Sequence, residues 1–348
     1  MRGRSVGLLA GLGVVAVVGG WYFGMRTASA PEPGLLAGGK LMFPDLTPKL
    51  GSVVRVEITH QGKQTVIEKR GDGGWGIASM HDYPVQEAKL RGLLTGLTEV
   101  RLAEPRTSDP AEFGRLGVDD PNAAGSSADL LRLVDGSGQP VVAVIVGHRR
   151  VRSQANVPEE VYVRRPGENQ SWLAEGSVQA DADASVWLDR NVMNIAHDRI
   201  GSVVVGDRAL VFGRSDGRFG LVEPAEHPKL EDYKVEDVAR ALELLTFQEV
   251  KSDAEAPGTE AGHAVFTTGD GLAVTVTVLH AGKDVWARFA VSGGSDKGEA
   301  ERIGSRVAGW TYQVGSWKEK SLVPTMDDLK AEAPAGAAGE SASDPDKK

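Results

Sequence analysis

Cysteine is absent from all 348 residues, which excludes disulfides, thiolate metal sites and cysteine nucleophiles. That absence does not name a compartment, because a chain this long can build a core without covalent staples. A surplus of positive charge is also missing. Lys and Arg number 39 against 48 Asp and Glu, giving a formal net charge of −9 with both signs mixed along the chain. A nucleic-acid binder needs a basic face to displace counterions from phosphates, so no nucleic-acid partner is expected. Long apolar runs are lacking except at one place, the N-terminus.

Between Arg4 and Arg26 no residue is charged, and the stretch from Val6 to Phe23 is almost wholly apolar. Its length, roughly twenty residues, suits a helix crossing the hydrocarbon layer. Trp21 and Tyr22 stand at one end, where amphipathic rings favour an interface, and Arg2 and Arg4 precede it. The expectation is a single-pass anchor over residues 1–25 in the inner (cytoplasmic) membrane. The N-terminus would lie inside, and the bulk of the chain in the periplasm or outside. The alternative is a cleaved signal peptide with Ala28-Ser29-Ala30 before the cut, against which Pro31 counts.

Residues 26–48 are rich in Pro, Gly and Ala and read as a linker, and 330–348 read as a disordered tail. Between them the chain repeats itself. Tyr83-Pro84-Val85-Gln86-Glu87-Ala88 through Arg101 aligns without a gap on Tyr233-Lys234-Val235-Glu236-Asp237-Val238 through Lys251, at an offset of 150. Gly51-Ser52-Val53-Val54 falls on Gly201-Ser202-Val203-Val204 at the same offset. Further landmarks keep their order while loops shorten. Val141–Gly147 matches Val276–Gly282, Val161–Arg164 matches Val285–Arg288, and Trp187–Arg190 matches Trp317–Lys320. This predicts a tandem duplication, with copies over 49–196 and 197–329.

Each copy reads as strands, a helix, then strands. Val53–Ile58 alternates apolar and polar residues as a half-buried strand does, and Asp135-Gly136 and Asp270-Gly271 mark hairpin turns. Asp82 and Pro84 give a helix start, followed by a stripe of Val85, Ala88, Leu93/Leu94 and Leu97. The second copy places Val235, Val238, Leu242, Leu245 and Phe247 in the same way. The fold expected is α+β: a transmembrane helix, then two copies of an antiparallel sheet with one main helix each.

No constellation of reactive residues stands out, so no catalytic, cofactor-binding or metal-binding residue is assigned and no cofactor is expected. His60, His81, His148, His197, His227, His263 and His280 lack ligand spacing. The carboxylate pairs Asp119-Asp120 and Asp181/Asp183 sit in loop-like stretches where turn capping explains them. Ser52 and Ser202 have no nucleophile elbow around them, and Gly71-Asp72-Gly73-Gly74 has no helix bearing Lys and Ser/Thr behind it. Trp75, Trp172, Trp187, Trp286, Trp310 and Trp317 read as core residues, several at repeat landmarks. The cation pairs Arg164/Arg288 and Arg101/Lys251 read as surface ion pairs.

In order along the chain come the Gly74-Trp75 hairpin, Tyr83-Pro84-Val85 and Phe113-x-x-Leu116-Gly117-Val118-Asp119-Asp120-Pro121. Val144–Gly147, Val161–Val163 and Trp187-Leu188-Asp189-Arg190-Asn191 follow. This set resembles a bacterial membrane-anchored domain family of unknown function, encoded beside gliding-motility-type ABC transporter auxiliary components. The resemblance covers most of 49–329, more weakly in the second copy, and carries no catalytic residues with it. It implies a non-enzymatic envelope module, an accessory subunit of an ABC-type transport or gliding-type complex working through protein contacts. The partners would be a membrane complex, with ABC transporter subunits among them, and the lipid bilayer through the N-terminal helix. Two alternatives are a periplasmic binding protein for lipid, glycan or peptide, and an envelope hydrolase.

Overall fold

The computed structural model describes residues 39–71, 73–150, 159–207 and 209–331. Strands dominate it, at 43% against 24% helix, so the α+β expectation is corrected to a mostly β chain with three sheets. The longest described helix has 13 residues, about 20 Å at 1.5 Å per residue. No helix among the described residues is long and apolar enough to cross a membrane, which corrects the single-pass, membrane-spanning fold expected. The stretch over 1–25 on which that expectation rested lies outside the described residues, as do 26–38 of the linker and 332–348 of the tail. From the remainder of the expected linker, Lys40–Leu41 forms a strand, while Met42 and Leu46 are buried.

The first sheet uses β1 (Lys40–Leu41), β2 (Val53–His60), β3 (Lys63–Lys69), β4 (Trp75–Ile77), β5 (Tyr83–Pro84), β6 (Arg101–Pro105), β7 (Asp129–Asp135), β8 (Pro140–Arg150), β9 (Glu160–Arg164) and β10 (Ser171–Glu175). Helices α1 (Glu87–Glu99) and α2 (Phe113–Leu116) interrupt it. The strand order is β1-β6-β10-β9-β8-β7-β2-β3-β4-β5. A two-stranded ribbon pairs β11 (Asn191–Met193) with β15 (Leu245–Thr246). The remaining strands are β12 (Ile200–Val205), β13 (Leu210–Ser215), β14 (Arg218–Glu223), β16 (Glu249–Ser252), β17 (Thr259–Thr268), β18 (Leu272–Ala281), β19 (Asp284–Gly293) and β20 (Trp310–Val314). They form an eight-stranded sheet in the order β14-β13-β12-β17-β18-β19-β20-β16. With it go α3 (Asp232–Ala239), α4 (Lys297–Val307), α5 (Glu319–Leu322) and α6 (Met326–Leu329).

Without β1 and β5, the first order runs β4-β3-β2-β7-β8-β9-β10-β6, strand for strand the order of the second sheet. The alternation seen in Val53–Ile58 is real: Val53, Val56 and Ile58 are buried in β2, and in the second sheet Ile200, Val203 and Val205 are buried in β12. The described residues fall into two compact units. One comprises residues up to Val53, Glu57–Gln64 and Gly92–Ala182; the other Val54–Val56, Thr65–Arg91 and Asp183 onward.

In the first unit, the Leu116-Gly117-Val118-Asp119-Asp120 stretch is clamped by an arginine from β9. Arg164 donates from Nε to the Val118 carbonyl (2.8 Å), from one terminal nitrogen to Asp119 O (3.2 Å) and from the other to Glu168 O (3.0 Å). Its guanidinium also lies 4.5 Å from the centre of the Phe113 ring. The surface ion pair expected for Arg164 is therefore a backbone clamp. In the second unit Arg288 does meet a carboxylate, at 3.0 Å from Nε to Asp253 Oδ1.

The second unit includes Tyr83, where the expected helix start proves to be a strand. His81 and Asp82 both adopt positive φ (51° and 61°), reversing the chain so that Tyr83–Pro84 lies antiparallel to β4. Pro84 has no N–H to give a helix, and it disfavours helical φ/ψ at Tyr83, so α1 begins only at Glu87. Tyr83 is buried under Phe247, Trp310 and Tyr312, edge-on to each ring at 5.5, 4.9 and 6.3 Å, and donates to the Asp189 carbonyl at 3.2 Å. Burial in this apolar cluster pushes the phenol pKa far upward.

A bidentate pair ties α4 to the start of β12: Arg199 donates to both Glu299 oxygens, at 2.7 and 2.8 Å. Hydrogen bonding to Arg199 holds the Glu299 carboxyl below its ordinary range. A carboxyl with a lowered folded-state pKa stabilises the fold above its unfolded pKa, roughly 4.3 for glutamate, and loses that contribution as pH falls through the folded value. Acid titration of unfolding is thus expected to show stability declining below about pH 4, with a shallower decline in Glu299→Gln. An unchanged slope in that variant would remove Glu299 from the account.

Candidate functional site

The residues that sequence chemistry singles out are dispersed and locally satisfied. His60 contacts Asp129 (3.0 Å), His81 contacts Glu255 (3.1 Å) and His280 contacts Glu319 (2.7 Å). His197 is 3.2 Å from Glu243, His263 is 3.3 Å from Glu260, and His227 meets the Pro228 carbonyl at 2.9 Å. Among the described residues no group of three or more His, Asp and Glu could hold a metal ion. His148 lies 2.9 Å from Ser127 Oγ, but no carboxylate among the described residues is hydrogen-bonded to that histidine, so the pair lacks the third member that orients a catalytic base.

The carboxylate pairs cap turns. Asp120 accepts from the Asn122 N–H (2.9 Å), Asp119 from the Ser126 hydroxyl (2.8 Å) and Asp183 from the Ser185 N–H (2.9 Å). Asp181 does join something the sequence hid, the His60–Asp129 contact. Burial raises the Asp129 pKa, His60 opposes this, and the Asp181 charge adds to the rise. Ser52 donates to the Lys49 carbonyl and Ser202 lies within β12. Of the glycine loop, Asp72 is outside the described residues and Gly73 takes a positive φ in the turn before β4. Arg101 donates to the Gly39 carbonyl (3.1 Å), and Lys251 sits 5.0 Å over the Trp286 ring.

The tryptophans divide. Trp187 (0% exposed) and Trp286 (2%) are core, and Trp75, Trp172 and Trp310 are half-buried. Trp317, the counterpart of Trp187 in the repeat, is 68% exposed. Tyr233, the counterpart of buried Tyr83, is 61% exposed. The core role expected of Trp317 is therefore corrected. Its flanking sequence carries the signal: Trp187 is followed by Leu188, which is buried, whereas Trp317 is followed by Lys318-Glu319-Lys320.

These two exposed rings line one cavity of about 500 Å³, with Lys234, Asp237, Arg240 and Lys318. A second cavity, of about 970 Å³, runs from Tyr233 and Val235 to Phe219, Leu221 and Val222 of β14. Tyr233 borders both. The Trp317 ring is held in place: a Cβ on Gly315 would come within 2.4 Å of the indole Nε1, so the ring lies directly on that glycine's backbone. Lys318 packs 5.0 Å over the same ring and donates to the Ala241 carbonyl at 3.1 Å. Burial pushes the Lys318 pKa downward. Chemically this is an aromatic and cationic surface without a nucleophile–base pair, suited to holding a partner.

A family model described as a domain of unknown function (DUF4340) matches residues 75–262, more than half of the chain. No curated protein and no solved structure matches it. The matched region starts at the tryptophan of β4 and ends within β17, so it takes in both copies of the Tyr83/Tyr233 landmark.

Proposed function

Since this chain belongs to the DUF4340 family, whose description assigns no activity, we propose from its geometry that it is a non-catalytic binding module acting through contact with another protein. The partner we propose is a membrane transport assembly of the ABC or gliding type, met outside the cytoplasm. The observation that carries the reading is the grouping of Val222, Tyr233 and Trp317 around α3. They are 52%, 61% and 68% exposed, and they border two adjoining cavities. Isolated exposed apolar residues are ordinary, but rings that share a concave border are characteristic of interfaces.

Cross-linking of the full-length protein in cells, followed by purification and mass spectrometry, tests this. ABC-type transporter subunits are expected with the native chain. Their recovery should fall by about tenfold in a Tyr233→Ala/Trp317→Ala double variant, since exposed anchor residues carry most of an interface's energy. Equal recovery from both chains would displace the surface. Failure to enrich any such subunit would overturn the partner and turn attention to a small ligand in the 500 Å³ cavity.

A further inference from the structure

The two sheets share eight strands in one order, but the first continues where the second stops. Beyond β4 the first sheet adds β5, with Gly76 opposite Pro84 and Ile77 opposite Tyr83. The counterpart of β4 is β14, since Trp75-Gly76-Ile77 aligns on Phe219-Gly220-Leu221. Among the described residues no strand pairs with β14 on its far side.

One residue differs where the two copies part. Where the first copy has Pro84, the second has Lys234, whose N–H donates to the Glu231 carbonyl at 3.0 Å. That frees Tyr233 and Lys234 to enter the first turn of α3, and the segment that would have flanked β14 becomes helix instead.

The glycines record the difference. A Cβ on Gly76 would stand 2.4 Å from the Asp82 carbonyl oxygen, because the chain entering β5 passes directly over it. Gly220 holds the same place in β14, and a Cβ there would meet nothing within 4 Å. Short edge strands with charged ends are a common protection against stray pairing, and Arg218 and Glu223 fit that description. Protection does not account for a bare glycine beside half-buried Leu221 and exposed Val222, next to a cavity of about 970 Å³.

We propose that β14 is a docking edge for an extended peptide segment of a partner protein. The segment adds as an antiparallel strand opposite Gly220 and Leu221, in the position β5 holds on β4, with one bulky apolar side chain where Tyr83 stands in the first copy. Main-chain hydrogen bonds supply the affinity in this mode and side-chain pockets the selectivity. The inference rests on the binding-module reading and names where and how the partner is held.

The test uses the full-length protein, a synthetic peptide of the sequence of residues 79–87, and a display library of random twelve-residue peptides. The expected result is that the synthetic peptide or selected peptides slow amide hydrogen exchange across Arg218–Glu223. Gly220→Val, whose Cβ meets no atom within 4 Å, should keep the native unfolding midpoint and weaken those peptides by more than about tenfold. Selected peptides that protect other segments, no peptide protecting β14, or binding indifferent to Gly220→Val would each overturn the inference. So would a dimer in sedimentation that Gly220→Val dissolves, since β14 would then pair with a second copy. Transporter subunits recovered equally by Gly220→Val would leave the proposed function standing and this edge excluded.

Discussion

Alanine at Gly76 is expected to lower the urea midpoint of unfolding, while alanine at Gly220, its counterpart in the second copy, leaves it unchanged or raises it. At Gly76 the new methyl meets backbone: the Asp82 carbonyl oxygen at 2.4 Å, its carbon at 2.7 Å and Cα at 2.9 Å. No rotamer relieves that contact, so the chain from Asp82 to Pro84 must move off β4, carrying Tyr83 out of its ring cluster. Overpacking of this kind costs about 1–3 kcal/mol, and more where backbone is displaced. At Gly220 no atom lies within 4 Å, and exchanging a strand glycine for alanine gains about 0.5 kcal/mol. Urea titration followed by tryptophan fluorescence checks both; comparable losses at the two positions would mean that β14 is covered after all.

Trp187→Ala should be among the most damaging single substitutions, and Trp317→Ala among the mildest. The Trp187 ring is fully buried, with Lys89 stacked 4.9 Å above it, and its carbonyl accepts from the Gln86 N–H at 2.7 Å. Removing such a ring costs about 3–5 kcal/mol through lost burial and the cavity left behind. Trp317 gives its exposed face to solvent, so its loss should stay within about 0.5 kcal/mol in stability, while affecting partner recovery. Thermal unfolding of both variants decides it, and a large loss in Trp317→Ala would return that ring to the core.

The sequence displayed much of the strand pattern, because alternation and turn chemistry are short-range. Alternation in Val53–Ile58 and the Asp-Gly turns translate directly into β2 and hairpins. It did not display the proportion of sheet to helix. The stripe from Val235 to Phe247 suggested one long helix, but α3 ends at Ala239, and Leu245 and Phe247 are buried beyond it, Leu245 within β15. Helix α4 went unforeseen, although Ala300, Ile303 and Val307 fall on one helical face among its Glu and Arg residues. Tyr83 and Tyr233 show how identical residues diverge: the first precedes a proline and lies in a strand, the second precedes a lysine and lies in a helix. The exposed rings were legible only as tryptophan and tyrosine, since the repeat implied that they shared the burial of their counterparts.

The discontinuity of the second unit bears on how the chain comes off the ribosome. Residues Thr65–Arg91 belong with Asp183 onward, so Tyr83 emerges long before Phe247, Trp310 and Tyr312, the rings that enclose it. Until then β4 and β5 present apolar surface with no neighbours from their own unit beyond the nearest strands. Bringing the ends of the intervening segment, Gly92–Ala182, together carries a loop-closure cost of about 4 kcal/mol. That cost falls if the segment has already condensed into its own compact unit. The order of synthesis therefore favours early condensation of Gly92–Ala182, with Tyr83 held waiting until the last strand, β20, is made.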